Sequence, residues 1–231
     1  MPSIVITGAS SGIGAATAAL AVAQGWQVAG LSRRGQAPDG ALGLACDVTD
    51  PAAVDAAFDR AAAEFGRIDV LFANAGVFPR ADLIDGITDA EWRGAMAVNL
   101  DGMFFAARAA FARMRAQAPQ GGRIILNGSI SAQSPRPNAM AYTVAKHALT
   151  GMTKQLALDG RDYDIAAGQI DIGNAATELL AGIAAGQANP EPMMPVAEAA
   201  RAVMHMAGLP EGTNILSMTV MATGMRLVGR G

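Results

Sequence analysis

A tyrosine and a lysine one helical turn apart, Tyr142 and Lys146, with Ser129 closing an apolar run upstream, carry the most chemistry in this sequence. A phenol can pass a proton to a carbonyl oxygen, and a serine hydroxyl can hydrogen-bond the same oxygen as charge builds on it. A free tyrosine titrates near pH ~10, so it works near neutrality only where a positive neighbour favours the phenolate. Lys146 is expected to supply that charge. Residues at i and i+4 share one helix face, which lets both side chains enter one cleft. Such a pair also arises by chance on amphipathic helices, so its meaning depends on what surrounds it.

The surrounding chain alternates short apolar runs with helix-favouring stretches. Runs at 3–7, 27–31, 42–46, 70–73, 123–126, 165–170 and 215–220 are too short for core helices. Helices are expected at 13–24, 51–65, 89–100, 101–117, 141–158, 176–185 and 196–206. Thr49-Asp50-Pro51 supplies a cap with proline at the first helical position, and Thr88 or Asp89 caps its own helix. Continuous apolar strands alternating with helices imply a parallel sheet covered on both faces. Breakers at Gly182, Gly186, Pro190, Pro192 and Pro195 mark a lid around 177–195 or a solvated loop.

The first strand runs into Thr7-Gly8-Ala9-Ser10-Ser11-Gly12-Ile13-Gly14 and a helix opens there. Glycines let backbone approach a pyrophosphate, and a helix N-terminus offers unpaired N–H groups with partial positive charge. Gly8, Ser10, Ser11, Gly12, Ile13 and Gly14 are therefore expected to bind a dinucleotide. The second strand ends at Ser32 rather than at the carboxylate that would take the ribose 2′-hydroxyl of NAD. Arg33 follows, and its fork can pair a 2′-phosphate, which favours NADP over NAD unless Arg33 and Arg34 only solvate a loop. Asp47, followed by Val48, either contacts adenine or makes a turn before a cap at Thr49.

Bulk composition narrows the class. The 231 residues are 52% hydrophobic and 16% charged with net charge −3, which suits one domain over 1–231 with a large core. The charged fraction is low against about 25% for soluble proteins, and no basic stripe interleaves with aromatics, which argues against nucleic acid. The single cysteine, Cys46, reads as a buried thiol in a reducing, cytoplasmic setting. His147 and His205 are the only histidines and no metal-ligand spacing occurs, so no metal is expected. Met1 to Ser32 carries no charged side chain, yet it lacks the positive start of a signal peptide and is cut by glycines and glutamines. No membrane role is expected from it.

Together these motifs resemble the short-chain dehydrogenases/reductases over essentially the whole chain. Thr7-Gly8-x-x-x-Gly12-Ile13-Gly14 resembles the family's cofactor turn, Asn74-Ala75-Gly76 the motif after the fourth strand, and Asn99 the helix asparagine. Ser129, Tyr142 and Lys146 match its catalytic positions. The resemblance implies an α/β single-domain doubly wound Rossmann fold of about seven parallel strands with helices on both faces. It also implies hydride transfer between a nicotinamide and a small carbonyl or alcohol, with the lysine lowering the Tyr142 pKa and holding the nicotinamide ribose. Asn99 would hold a water linking Lys146 to solvent, and homodimers or homotetramers would form through 101–117 and 141–158. Apolar side chains for that bundle could come from Phe104, Phe105, Phe111 and Met152, or these could be buried within one chain. Bland readings stand beside each role: Ser129 caps a turn, Asn99 satisfies a kink, and Asn74 braces the central strand.

The sequence departs from the pattern in three places. Ala73 stands where a second asparagine is common. Ile172-Gly173 replaces Pro-Gly after the sixth strand, with Gly173 keeping a turn and Thr177 matching a residue that bonds the nicotinamide carboxamide. The segment 32–41 is too short for the usual helix. Val77, Phe78, Ile130, Gln133, Ser134, Pro135, Met193 and Met194 are expected to line a mostly neutral substrate site; Arg136 either recruits an acid there or, as is usual for arginine, stays at the surface, the reading preferred here. A cofactor-binding sensor without turnover would lack the tyrosine or lysine. A methyltransferase would want an acidic residue at Ser32.

Overall fold

The computed structural model describes residues 1–178, 180, 182 and 191–227. Seven strands form one parallel sheet: β1 (Ser3–Thr7), β2 (Gln27–Ser32), β3 (Leu42–Ala45), β4 (Val70–Ala73), β5 (Gly122–Asn127), β6 (Ile165–Ile172) and β7 (Ser217–Val220). Their order is β3-β2-β1-β4-β5-β6-β7, and every neighbouring pair is parallel. The expected α/β fold with helices on both faces is therefore present. β7 begins two residues later than its apolar run, and β6 extends two residues further.

Alternate strand residues feed two cores. Val5, Leu71, Ile124 and Leu126 point into the core under α2 (Pro51–Phe65), α4 (Gly102–Ala116) and α5 (Met140–Asp159). Ile4, Ile6, Val70, Phe72 and Ile125 point to the other face, under α1 (Gly12–Ala23) and α6 (Val196–Ala207). Because both faces are covered, β1 and β4 are buried at every residue, which explains the apolar runs 4–6 and 70–73; the buried Ser3 and Thr7 at the ends of β1 find hydrogen-bond partners instead.

Local signals set the helix starts. Asp50, not Thr49, caps α2: its carboxylate accepts from the amides of Ala52 and Ala53, and Pro51 follows at the first turn. Thr49 instead donates to Asp47. Thr88 caps α3 (Asp89–Met96) through a full capping box with Glu91. The helices expected at 89–100 and 101–117 are one rod interrupted by a π turn at Ala97–Asp101, which contains Asn99. Between β2 and β3 there is no helix, as the short segment implied.

The strand order reverses direction between β1 and β4, which opens a crevice beyond their C-terminal ends. No helix among the described residues is long and apolar enough to cross a membrane. The expected helix at 176–185 and the lid around 177–195 fall largely outside the described residues.

Candidate active site

A cleft of about 570 Å³ lies over the C-terminal ends of β1, β4, β5 and β6. At one end the turn from β1 enters α1. Gly12 takes φ +55, a left-handed conformation that side chains rarely adopt. A Cβ on Gly14 would stand 2.2 Å from the Gly8 carbonyl oxygen, so helix and turn can approach only with glycine there. Ser11 makes no side-chain cap and the first turn of α1 holds no acid, which leaves its amides and partial positive charge facing the cleft. This cradle fits a pyrophosphate. Asn74 and Thr7 lock the turn to β4: the Thr7 hydroxyl accepts from the Asn74 and Ala75 amides at 2.9 Å, and Asn74 Nδ2 donates to the Thr7 carbonyl at 3.0 Å.

Ser32, Arg33, Asp47 and Val48 line the adjoining stretch. The Ser32 hydroxyl donates to the Gln36 carbonyl, and Arg33 is exposed. Asp47 accepts from the Thr49 amide and hydroxyl, contacts that hold its carboxyl below the usual range with help from the Arg33 charge. Asp47 is thus a turn residue, whatever else it touches. Burial, then the charges of Asp47 and Asp50, push the Cys46 thiol up to about 11, so it stays protonated.

At the other end, α5 presents Tyr142 and Lys146 beside Ser129. Lys146 is 3% exposed and donates to the Asn127 carbonyl at 2.6 Å. Burial pushes its pKa down to about 8, against an opposing pull from Asp171. Tyr142 is raised, first by burial and also by Asp171, while Ser129 hydrogen bonding and the Arg136 charge lower it. The phenol is therefore protonated near neutrality and poised to donate. The Arg136 charge eases its ionisation, and the Lys146 nitrogen stands 5.5 Å from the ring centre. Ser129 also caps the short turn Ile130–Ala132 by accepting from the Ser131 amide at 3.1 Å.

Asn99 is fully buried, and its amide clasps the Val77 backbone in both directions at 2.9 Å. It therefore fixes the loop after β4, a structural task that the resemblance did not name. Ala75, Gly76, Gly173 and Thr177 line the cleft as expected. Ile172 lets β6 run on: it pairs with Val220, and the Gly173 amide donates to the Val220 carbonyl.

The substrate wall needs correction. Val77 and Phe78 line the cleft, and the Phe78 ring lies 4.8 Å from that of Tyr142. Ile130 and Met194 are core instead. Met194 is drawn under the sheet because its backbone pairs with Asn174 and Ala176. Gln133, exposed, donates to Asp171 and Thr219, and Ser134, Pro135 and Met193 do not reach the cleft wall. Arg136, expected at the surface, lines the cleft.

Three contributors were not anticipated. Asp171, 2% exposed on β6, accepts from the Ser129 amide, from Gln169 and from Gln133. Asn127 holds Lys146 through its carbonyl and Asn74 through its side chain. Asn174 orients Arg136. A signal existed for one of them: Gln169 and Asp171 alternate within an apolar strand, where polar groups need partners.

A doubly wound sheet, a glycine cradle at its switch point and a serine, tyrosine and lysine at the mouth define a dinucleotide-binding protein equipped for proton transfer. The family model for short chain dehydrogenase matches residues 2–188, and the chain belongs to that family. It is 34% identical to a 3beta-hydroxysteroid dehydrogenase of Mediterraneibacter gnavus, over 68% of this chain and 59% of that protein. It is 36% identical to a cis-4-hydroxycyclohexanecarboxylate dehydrogenase of Sinomonas cyclohexanicum, over 78% of this chain and 76% of the other. A short-chain type dehydrogenase/reductase from Mycobacterium marinum superposes with TM-score 0.87 at 26% identity, over 95% of this chain and 94% of the other. The matches span 51 to 59% of the length of the first curated relatives.

Proposed function

We propose that this chain is an oxidoreductase that uses NADP(H), in preference to NAD(H), to interconvert a carbonyl and an alcohol on a small substrate. The observation that carries this reading is the placement of Tyr142, Ser129 and Lys146 in one cleft with the uncapped start of α1. The dehydrogenase names of the relatives support the same class.

Gly8, Ser10, Ser11, Gly12, Ile13 and Gly14 would hold the pyrophosphate, and Asn74, Ala75, Gly76, Gly173 and Thr177 would flank the nicotinamide half. Asp47 and Val48 would bound the adenine. When bound, the nicotinamide supplies or accepts the hydride. Tyr142 gives its proton to the substrate oxygen in reduction and takes it back in oxidation. Ser129 donates a hydrogen bond to that oxygen, and Lys146 holds the ribose hydroxyls. Asn99 keeps the Val77 loop in place for these contacts. Arg33, exposed at the adenosine end, would pair with a 2′-phosphate.

The surroundings of this reading are a cytoplasmic setting, a lid around 177–195, and a homodimer or homotetramer through α4 and α5. Phe104 at 47% and Leu158 at 52% exposure support such a contact. Phe105, Phe111 and Met152 pack on the chain's own core instead. Purified protein should consume NADPH with a ketone or aldehyde from a broad panel, and Tyr142→Phe should lose about 10³-fold in kcat while still binding NADPH. An unchanged rate in that variant overturns the mechanism.

A further inference from the structure

Arg136 is a charged side chain at the catalytic end of the cleft whose bonding is incomplete. Its one hydrogen bond among the described residues runs from Nη2 to Asn174 Oδ1 at 2.8 Å. Its Nε is buried with no partner, and no carboxylate among the described residues lies within ion-pairing distance of it. By contrast Arg60, Arg80, Arg93, Arg108, Arg113 and Arg201 pair with acids of this chain. The buried Arg123 is spent on the Leu209 and Thr213 carbonyls and Asn214.

A partly desolvated guanidinium with an unsatisfied donor costs stability, and a ligand that met that donor in the cleft would recover the cost. Asn174 is itself 7% exposed and held from the other side, its Nδ2 donating to Glu191 at 3.2 Å. The guanidinium is thus aimed from a fixed partner, as anion recognition requires. Val77 and Phe78 supply exposed apolar surface in the same cleft, with Phe78 against the Tyr142 ring.

Resting on the oxidoreductase reading, we infer that the substrate is an oxo acid or hydroxy acid with an apolar body, its carboxylate paired with Arg136 while its carbonyl or hydroxyl meets Tyr142 and Ser129. A planar carboxylate matches the guanidinium fork and supplies the counter-charge that the described residues withhold. The carboxylate takes no part in proton or hydride movement; it fixes which end of the substrate faces the tyrosine. Arg136 is therefore a substrate-binding residue for specificity.

The test compares 3- and 4-carboxybenzaldehyde with their methyl esters, using the full chain and NADPH or NADH. Wild-type protein should favour at least one acid over its ester by tenfold or more in kcat/KM, mainly through KM. In Arg136→Leu that acid-to-ester ratio should collapse to about one, whatever happens to each rate, and Arg136→Lys should fall between. Rising ionic strength should erode the wild-type preference, a readout that survives even if Arg136→Leu fails to fold. Wild-type protein that treats acid and ester alike, or prefers both esters, overturns the inference and leaves the oxidoreductase reading standing. Retention of the preference in a folded Arg136→Leu protein overturns it equally. Absence of turnover on every aldehyde, in folded protein that binds NADPH, counts against the oxidoreductase reading itself.

Discussion

The two ends of the cleft are built by different means. The nucleotide end is made of backbone: glycines at 12 and 14, an uncapped helix start, and Asn74 and Thr7 stitching two strand ends together. The substrate end is made of side chains, with Asp171, Gln133, Arg136 and Asn174 bonded across the loop after β5 and the end of β6. Backbone cradles tolerate little substitution and bind what all dinucleotides share. A side-chain lattice can be rewritten residue by residue, which makes it the expected seat of any choice among substrates.

Substitutions can break that contrast. Beyond the large loss expected for Tyr142→Phe, the strongest effect should come from Gly14→Ala, whose Cβ would meet the Gly8 carbonyl oxygen at 2.2 Å and Asn74 Nδ2 at 2.6 Å. Expected are a loss of roughly 100-fold in cofactor affinity and about 1–3 kcal/mol of stability, read by titration and by urea unfolding. Unaltered NADPH binding would show that the cradle is not the nucleotide site.

Asp171→Asn tests the other end. The carboxylate raises both Tyr142 and Lys146, so its removal lowers both. Reduction needs a protonated tyrosine and a charged lysine, so activity falls as pH rises through their pKa values. The wild-type alkaline limb of kcat/KM should begin near the Lys146 value of about 8, and in Asp171→Asn it should move to lower pH with about a tenfold lower rate. A limb that stays put or moves upward would reduce Asp171 to a structural strut. The smallest effect is expected from Arg33→Ala, a several-fold rise in KM for NADPH with little change for NADH, because the arginine is exposed and its pairing is screened. Equal changes in both would remove the NADP preference.

Legibility in the sequence follows the same division. The cradle was readable because β1, its turn and α1 are contiguous, and each glycine serves a local backbone need. Parallel strands were readable because burial on both faces demands unbroken apolar runs. Which of its two readings Arg136 follows is not legible in the sequence, because the asparagine that holds it at the cleft stands 38 positions away, past the end of β6. Met194 was misread as a cleft residue because pairing with Asn174 and Ala176, invisible in composition, turns it into the core. The upward push of burial on Tyr142 is not legible in the sequence, because burial is a property of the assembled fold.

The π turn at Ala97–Asp101 has a further effect on the helical rod it interrupts. An extra residue in one turn shifts the angular phase between the two halves by about 100°, the rotation of a single α-helical step. α3 and α4 can therefore each face their own neighbours while Asn99, at the seam, turns to the Val77 backbone. The rod works like a splined coupling cut one tooth out of line. Its offset aims the asparagine, and the paired Asn99 bonds then set where the loop after β4 meets the cleft.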